Sequence, residues 1–433
     1  MPDSFEQARS FFLLGVDAFE AGRFAEAEEK FRASLALLPG RASTLANLGA
    51  TLQKRGQSVA ALQVLDQALA ADPGNVDALG HRGVALGEAG RYNEALACHD
   101  KLLAADAEHV AAWYQRGMML NVLDRHDEAL HAFDQVLRID PRHGSGWLCR
   151  GQTLQSAGRE AEALPCYDKA IALEPGLSLA WTHRAILLKD LKRLDEAALA
   201  FEAAIAHGGD PELNGYFLSS LRGGAAPAAP PKHFIESLFD DYADNFEEHM
   251  VDVLKYRAHR VLAENVAGVA GTAFGSVLDL GCGSGLCGAL LAPVAARITG
   301  VDVSANMLEK AVARGVYAEV VQRDIVEFLQ TTNERFDLII AADVFIYVGD
   351  LQRVFDGVRQ VAEPGAVFCF SVELPDQPQG FELRPSLRYA HSEAYVLQLA
   401  ATHGFEVAKL LCQPIREDQQ QPIPGLYVYL ISR

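Results

Sequence analysis

Small and apolar residues recur along the first half of the chain with a fixed period of 34 residues. Two phases of this period hold glycine or alanine: Gly15, Gly49, Gly83, Gly117, Gly151 and Ala185, then Ala27, Ala61, Ala95, Ala129, Ala163 and Ala197. Tryptophans and prolines keep the same period: Trp113, Trp147 and Trp181, then Pro39, Pro73, Pro141 and Pro175, with Ala107 as the exception. Each period predicts two helices that cross closely at their small residues, and a proline that ends the second helix.

This pattern resembles the tetratricopeptide repeats, whose signature is a 34-residue period of paired helices. Six units span about residues 8–209, and a bulky phase is predicted to fill the seams between units: Phe31, Phe133, Tyr167 and Phe201. Because one unit alone cannot bury its apolar face, the six are expected to stack as an all-α solenoid. A capping helix is predicted at 211–222, so the repeat domain is placed at 8–222.

The resemblance implies that the groove of the repeats binds a protein or peptide, which is an analogy at the level of the fold. The predicted groove residues are polar and not strongly basic: Asn47, His81, Gln115 and His183. A clamp for an acidic tail would need lysine and arginine there, so no partner of that kind is predicted. The uncharged segment 223–231, rich in Pro, Ala and Gly, predicts a partly stiff linker to a second domain at 232–433.

The second half changes to short apolar runs separated by helical patterns. Val277, Leu278 and Leu280 suit a buried strand that runs directly into a glycine-rich turn. Further runs predict six more strands at 298–303, 320–321, 336–343, 367–372, 405–411 and 426–431. A strand, a glycine-rich turn and a helix form the nucleotide-binding corner of an open α/β sheet. Asp302, at the end of the second strand, can accept hydrogen bonds from both hydroxyls of a ribose.

Two ligand classes compete for this corner. Gly283, Gly285 and Gly288 satisfy the dinucleotide pattern G-x-G-x-x-G, but that match begins two residues into the loop. Asp279 would sit badly against a pyrophosphate. An acidic residue, one spacer and G-x-G-x-G, here Asp279, Gly281, Gly283 and Gly285, instead resembles the class I S-adenosylmethionine-dependent methyltransferases. The resemblance implies a Rossmann-like seven-stranded domain that uses S-adenosylmethionine, with Asp279 suited to the cationic amino-acid end.

By this resemblance the cofactor-binding residues are Asp279, Gly281, Cys282, Gly283, Gly285, Asp302, Val303, Asp324, Ile325, Asp343 and Tyr242. Asp324 is expected to contact the adenine amino group and Ile325 to line the ring. Asp324 also suits the N-cap of the helix that follows, and both roles can hold together. Tyr242 is predicted to close over the methionine end, or else only to pack its helix on the sheet.

The catalytic candidates come from the ends of strands and from the insert before the sixth strand: His391, Asp343 and Tyr389. A base is needed only if the acceptor must lose a proton, and the unperturbed pKa of a histidine such as His391 suits that role. The alternative is that Ser392 caps a helix at 394–402 and His391 is incidental. Arg416 is predicted either to bind an acidic acceptor group or to be a turn residue.

Charge and composition narrow the classes of function. The chain has 433 residues and a formal net charge of −19, from 38 Lys and Arg against 57 Asp and Glu. Both halves are acidic, at 22 against 30 before residue 223 and 16 against 27 after it, which argues against nucleic acid as a partner. No signal peptide, membrane span or metal-ligand spacing is predicted, and the seven cysteines fit reduced thiols in the cytoplasm.

Three functions remain from the sequence. The first is a methyltransferase whose repeats recruit a protein or peptide substrate or partner. The second is a small-molecule methyltransferase whose repeats mediate assembly only, with an apolar pocket lined by Phe345, Tyr347 and Tyr389. The third is a non-catalytic scaffold with a vestigial cofactor fold, against which the intact Asp279, loop glycines and Asp302 argue. The sequence predicts neither the acceptor atom nor the oligomeric state.

Overall fold

The computed structural model describes residues 2–224, 226–243, 246–271, 273–376, 378, 380–418 and 420–433. Nine side chains also lie outside the description, at positions 2, 3, 241, 242, 249, 251, 252, 270 and 418. The chain divides into two compact units, Met1–Gly209 and Asp210–Arg433. Across the described ranges, no helix is both long and apolar enough to span a membrane.

The first unit consists of helices that follow each other in pairs. They are α1 (Pro2–Glu20), α2 (Phe24–Leu37), α3 (Ala42–Lys54), α4 (Ser58–Ala71), α5 (Val76–Glu88), α6 (Tyr92–Ala105), α7 (Val110–Val122), α8 (His126–Ile139), α9 (Gly144–Ser156), α10 (Glu160–Leu173), α11 (Ser178–Asp190) and α12 (Leu194–Ala206). Pro39, Pro73, Pro141 and Pro175 each fall in the turn after the second helix of a pair. The described helices thus follow the predicted period in pairs, which confirms the helical-repeat part of the fold class.

The glycine phase allows the two helices of one unit to cross closely. A Cβ atom on Gly117 of α7 would lie 2.7 Å from the ring of Phe133 in α8, and one on Gly151 would lie 2.6 Å from the ring of Tyr167. Both rings are fully buried. These two rings therefore pack on the glycine of their own unit, and their predicted role in filling the seams between units stays a prediction.

Two further periodic contacts hold the repeats together. The indole N–H of each tryptophan donates to a backbone carbonyl six residues earlier, Trp147 to Pro141 at 3.0 Å for example, which ties the turn to the next helix. Arginines on first helices also pair with aspartates on the preceding second helix: Arg82 with Asp66, Arg116 with Asp100, Arg150 with Asp134 and Arg184 with Asp168. We call these four pairs the arginine ladder.

The second unit begins with helices and continues as an α/β sheet. Its helices are α13 (Pro211–Arg222), α14 (Lys232–Tyr242), a π-helical turn (Glu248–Val253), α15 (Ala258–Ala270), α16 (Leu286–Leu291), α17 (Ala305–Ala313), α18 (Ile325–Thr331), α19 (Gln352–Val361) and α20 (Glu393–Thr402). Its strands are β1 (Val277–Leu280), β2 (Ile298–Asp302), β3 (Glu319–Gln322), β4 (Phe336–Ala341), β5 (Ala362–Glu373), β6 (Phe381–Leu383), β7 (Tyr389–His391), β8 (Phe405–Asp418) and β9 (Gln421–Ser432).

The strands form one sheet in the order β3-β2-β1-β4-β5-β7-β6, and β9 pairs with β5 and β8. Strands β1 to β5 are parallel, whereas β9 runs antiparallel to β5 and β8. The seven predicted strands are all present, which confirms the α/β part of the fold class. The short strands β6 and β7 were not predicted, because three-residue strands leave no visible alternation in the sequence.

The segment predicted as linker is docked on the second unit. The carbonyl of Ala228 accepts hydrogen bonds from the N–H groups of Gly349 and Asp350 at 2.9 and 3.0 Å, and the hydroxyl of Tyr389 donates to the carbonyl of Pro227 at 2.9 Å. Helix α13, predicted as the cap of the repeats, also belongs to this unit, where Tyr216 donates to the carbonyl of Leu387 at 2.8 Å. The domain boundary at residue 222 stays a prediction.

Candidate active site

The glycine-rich loop between β1 and α16 lies at the carboxyl edge of the parallel strands. Gly281, Gly283 and Gly285 have φ values of 63°, 52° and 89°, a region in which a side chain is strained. A Cβ atom on Gly281 would lie 2.5 Å from Val344, whereas one on Gly283 would meet no atom of the described residues within 4 Å. Gly281 is therefore required by packing, and Gly283 keeps an open face on which a ligand can approach the backbone.

Asp302, at the end of β2, is bound to this loop. One carboxylate oxygen accepts from the N–H of Gly283 at 2.8 Å, and the other accepts from the N–H of Ser304 at 3.0 Å. Burial raises the pKa of Asp302, although these N–H groups and that of Val303 oppose the rise. Each oxygen keeps a further lone pair, so the carboxylate can still accept from a ligand hydroxyl.

Cys282 and Val303 lie beside the same edge. Cys282 is buried, and its N–H donates to the carbonyl of Val301 at 3.0 Å, which joins the loop to β2. Burial raises the pKa of its thiol, so it is a neutral packing group and not a nucleophile. Val303 is half-buried, and its carbonyl accepts from the side-chain amide of Gln322.

Asp279 lies beneath the loop and not on its open face. It is 1% exposed, and one of its oxygens accepts from the hydroxyl of Tyr317 at 2.7 Å. Burial raises its pKa to about 7, against the opposing hydrogen bond from Tyr317. Sequence reasoning missed Tyr317, because its partner lies 38 residues away and nothing periodic links the two.

Asp324 caps α18, as one of its two predicted roles required. Its carboxylate accepts from the N–H groups of Val326 and Glu327 at 2.9 and 3.0 Å. The neighbouring Ile325 is buried in the core on one side of the sheet. The predicted contact of Asp324 with an adenine stays a prediction. The side chain of Tyr242, at the end of α14, lies outside the described residues.

Asp343 ends β4 and forms part of a buried ion cluster. Its φ is 60°, and its two oxygens lie 2.8 and 2.7 Å from one terminal nitrogen of Arg416. The other terminal nitrogen of Arg416 binds Glu373, and Ser371 accepts from the N–H of Asp343 at 2.9 Å. The three charged side chains are 1 to 6% exposed. Asp343 is thus a paired group at the start of residues 343–347, which we call the β4 overhang.

The interpretation of Arg416 as a turn residue was wrong. It lies within β8 and not in a turn, and both of its terminal nitrogens bind carboxylates of the protein. The third nitrogen, Nε, is buried and has no hydrogen-bond partner among the described residues, so contact with an acidic acceptor group stays a prediction. The sequence showed the charge of Arg416 but not its two partners, which lie 73 and 43 residues away.

His391 and Tyr389 lie in β7 and are fully buried. His391 Nε2 lies 2.8 Å from the carbonyl of Gly349, so this nitrogen carries the proton and donates it. Burial lowers the pKa of His391 to about 4, which keeps the ring neutral. Ser392 caps α20 by accepting from the N–H of Tyr395 at 3.2 Å, as the alternative reading expected. General-base catalysis by His391 stays a prediction, and its burial argues against it.

Tyr256 binds the residue that directly precedes the β4 overhang. Tyr256 is 6% exposed, and its hydroxyl donates to the carbonyl of Ala342 at 3.2 Å. Phe345, in contrast, packs its ring against Phe370 at 5.1 Å within the main core. In the part of the chain that the structure describes, no three His, Cys, Asp or Glu side chains are arranged to hold a metal ion.

Family models match both units. A model described as a methyltransferase domain matches residues 277–365, which run from β1 into β5. Two models described as tetratricopeptide repeats match residues 18–86 and residues 81–143 and 150–211. The chain joins tetratricopeptide repeats to a methyltransferase domain.

The methyltransferase domain has relatives among well-described proteins. The trans-aconitate 2-methyltransferase of Paracidovorax citrulli is 36% identical over 124 residues, which are 28% of this chain and 45% of that protein. The ubiquinone biosynthesis O-methyltransferase of Coxiella burnetii is 36% identical over 101 residues, 22% of this chain and 42% of that protein. The chain therefore spans less than half the length of these relatives.

The repeats resemble solved helical structures. A crystal structure of MamA is 22% identical with a TM-score of 0.36, and the match covers 39% of this chain and 93% of that chain. A structure of pilF from Pseudomonas aeruginosa is 21% identical with a TM-score of 0.43, and covers 46% of this chain and 91% of that chain. At these TM-scores the likeness supports no statement about function.

Proposed function

We propose that the protein is an S-adenosylmethionine-dependent methyltransferase whose repeats bind a protein or peptide that is its substrate or partner. The observation that carries this proposal is the loop at the end of β1. Its backbone is open at Gly283 and lies between two carboxylates, Asp279 below and Asp302 beside it. A loop between two acidic groups suits a ligand with hydroxyls and a positive charge better than the pyrophosphate of a dinucleotide.

The residues of this chain fit such a donor, which supplies an activated methyl group when bound. Asp302 is positioned to accept hydrogen bonds from a ribose, and Gly283 allows the backbone to approach the ligand. Ile325 and Asp324 follow β3 at the same edge of the sheet, where we propose that they contact the adenine. Cys282 and Val303 complete the wall of the site, and Gly281 and Gly285 shape its turn.

The acceptor is expected at the β4 overhang, because ligands of open α/β sheets bind at the carboxyl ends of the strands. Methyl transfer chiefly requires an aligned acceptor. Here Arg416 and Ser371 bind Asp343, the first residue of the overhang, and Tyr256 binds Ala342 directly before it. Asp343 and Tyr389 therefore act in this proposal as groups that hold the overhang and its neighbouring strand. The chemistry needs no base if the acceptor is already a neutral amine or an anion.

A small-molecule acceptor is the second candidate, and the names of the two relatives favour it. Those matches cover 22 and 28% of the chain, however, and so extend to less than the whole domain. Two of the residues expected to line its pocket have other contacts, since Phe345 packs against Phe370 in the core and Tyr389 donates to the carbonyl of Pro227. A protein or peptide acceptor brought by the repeats is the candidate we favour.

The location we propose is the cytoplasm. All seven cysteines are free thiols, six of them buried and Cys412 exposed. Disulfides form and persist in oxidising compartments, so seven unpaired thiols agree with a reducing one. Fractionation of cells that produce the protein would test this location.

Calorimetric titration with S-adenosylmethionine and S-adenosylhomocysteine, with NAD as the comparison ligand, tests the proposed cofactor. We expect the first two to bind and NAD not to bind. Gly283→Val should abolish binding, since the side chain fills the open face, whereas Gly365→Val is a matched control with an equally open glycine at φ 83°. Binding of NAD alone would overturn the proposal.

The variant Asp302→Ala, measured by the same titration, tests whether Asp302 binds the ligand. It should weaken binding by about 1–3 kcal/mol, the value of lost hydrogen bonds to a charged group. Asp337→Ala is the matched control, because Asp337 also accepts from two backbone N–H groups, those of Gly275 and Ser276, but before β1. Equal affinity of both variants would show that Asp302 is not a ligand. Transfer of labelled methyl groups to proteins or to small molecules of a lysate would then distinguish the two acceptor classes.

A further inference from the structure

Tyr317 occupies a slot beneath the glycine-rich loop that three glycines create. Its ring lies against Gly285 of the loop, Gly288 of α16 and Gly300 of β2. A Cβ atom would lie 3.0 Å from the ring at Gly285 and 2.9 Å from it at Gly300, and at Gly288 it would overlap the ring and the hydroxyl. Glycine at these three positions leaves the volume that the ring fills.

This slot explains the ambiguous glycine pattern. Gly288 is the residue that completes G-x-G-x-x-G and that made a dinucleotide ligand formally possible. In the structure its missing side chain makes room for Tyr317 and not for a phosphate. The third glycine of the pattern is therefore accounted for within the protein.

The hydroxyl of Tyr317 reaches the carboxylate of Asp279 at 2.7 Å. The other groups near Asp279 change its pKa in both directions or are uncharged. Asp302 raises its pKa, the N–H of Gly288 lowers it, and the thiols of Cys282, Cys287 and Cys369 are neutral and buried. Tyr317 is thus the side chain that stabilises the ionised form of Asp279.

We propose that Tyr317 is a positioning residue of the methyl-donor site, which holds Asp279 ionised and fixed beneath the loop so that its charge attracts the cationic amino-acid end of the donor. The inference rests on the proposed function. Asp279 lies in β1 just before the loop, and Gly283 places no side chain on the face from which a ligand would approach. In a site with little water such an attraction is stronger than at the surface.

The proposal makes donor affinity depend on pH in a defined direction. The pKa of Asp279 is raised to about 7 by burial, so the carboxylate gains a proton and loses its attraction as the pH falls below that value. Removal of the Tyr317 hydroxyl raises this pKa further, because a hydrogen bond to the charged form is lost. The decline in affinity should then begin at a higher pH.

The test is calorimetric titration of the full chain and its Tyr317→Phe variant between about pH 6 and about pH 8. Two ligands are compared: S-adenosylmethionine, and methylthioadenosine, which lacks the amino-acid end. Phenylalanine keeps the ring in the slot, so the fold should persist. We expect affinity for S-adenosylmethionine to fall about tenfold at neutral pH, as for a lost hydrogen bond to a charged group. Affinity for methylthioadenosine should stay unchanged.

Tyr429→Phe is the matched control, since it removes another buried hydroxyl of the same domain, bonded to the carbonyl of Val261 at 2.9 Å. An equal loss for both ligands in Tyr317→Phe would mean that the residue only shapes the loop, and would overturn the proposal. No change for either ligand would overturn it as well. Failure of the unaltered protein to bind S-adenosylmethionine at any pH would instead refute the proposed function.

Discussion

The two units use the same kinds of contact, but one repeats them and the other makes each once. The repeats pair arginine with aspartate at four successive seams and set a ring on a glycine in successive units. The methyltransferase domain has one Arg416 cluster and one Tyr317 slot. If one such contact is lost in the repeats, equivalent contacts remain in other units. If one is lost in the methyltransferase domain, no equivalent contact replaces it.

The ion pairs of the two units also differ in how deeply they are buried. In the arginine ladder the arginines are 17 to 23% exposed and the aspartates 53 to 59%. In the Arg416 cluster all three side chains are 1 to 6% exposed. Exposed ion pairs contribute little to stability because water and salt screen them, whereas a buried charge that loses its partner is strongly destabilising.

The largest effect is expected for Arg416→Met. This variant leaves the buried carboxylates of Asp343 and Glu373 without their partner, and should lower the free energy of unfolding by about 3–5 kcal/mol. Urea denaturation at neutral pH, followed by near-ultraviolet circular dichroism, measures the change. A loss below about 1 kcal/mol, the range of an exposed pair, would mean that the cluster is not buried as described.

The second-largest effect is expected where the two helices of one repeat cross closely. Gly151→Ala places a methyl group 2.6 Å from the Tyr167 ring, and overpacking of this kind should destabilise the protein by about 1–3 kcal/mol. Gly215→Ala in α13 is the matched control. It meets no atom within 4 Å and should instead stabilise its helix by up to about 1 kcal/mol. Thermal unfolding should therefore shift in opposite directions, and a shift in the same direction would contradict the packing.

The same contrast shows how much of the molecule could be predicted. The period of 34 residues revealed the six helix pairs, since every unit confirms the others. The loop glycines and Asp302 were predictable because they follow one another closely along the chain. Tyr317, Arg416 and the partner of His391 were not, because their contacts join residues 38 to 73 positions apart and occur once. Side-chain burial decided their roles, and no local pattern encodes it.

The third expected effect is a gain in stability when His99 is replaced, because this residue departs from the apolar pattern of its repeat position. His99 occupies the position of the repeat that holds Leu65 or an aromatic ring in other units, and it is 1% exposed. Neither of its ring nitrogens has a hydrogen-bond partner among the residues that the structure describes. His99→Leu removes buried polar atoms without partners, and should stabilise the protein by about 1–2 kcal/mol at neutral pH. Denaturation in urea measures this gain, and a loss would show that the ring makes a polar contact.

His99 also predicts a dependence of stability on pH. Burial lowers its pKa from 6.5 to about 4, so between these values the unfolded chain binds a proton that the folded one does not. The free energy of unfolding should therefore fall as the pH decreases from 6.5 towards 4. Above pH 6.5 His99 contributes nothing to the pH dependence of stability, because it is neutral in both states. The gain from His99→Leu should accordingly be larger at about pH 5 than at neutral pH, and an equal gain at both would contradict the lowered pKa.

The smallest effect is expected for the arginine ladder. Arg150→Met should cost about 0.2–1 kcal/mol, because Asp134 remains solvated after its partner is lost. The four pairs lie at separate seams, so replacing all four arginines should cost about the sum of the single losses. Urea denaturation in low and high salt measures the loss of stability of the single and the quadruple variant. A quadruple variant that loses much more than the sum would mean that the seams are coupled, and that the repeats depend on each contact as the methyltransferase domain does.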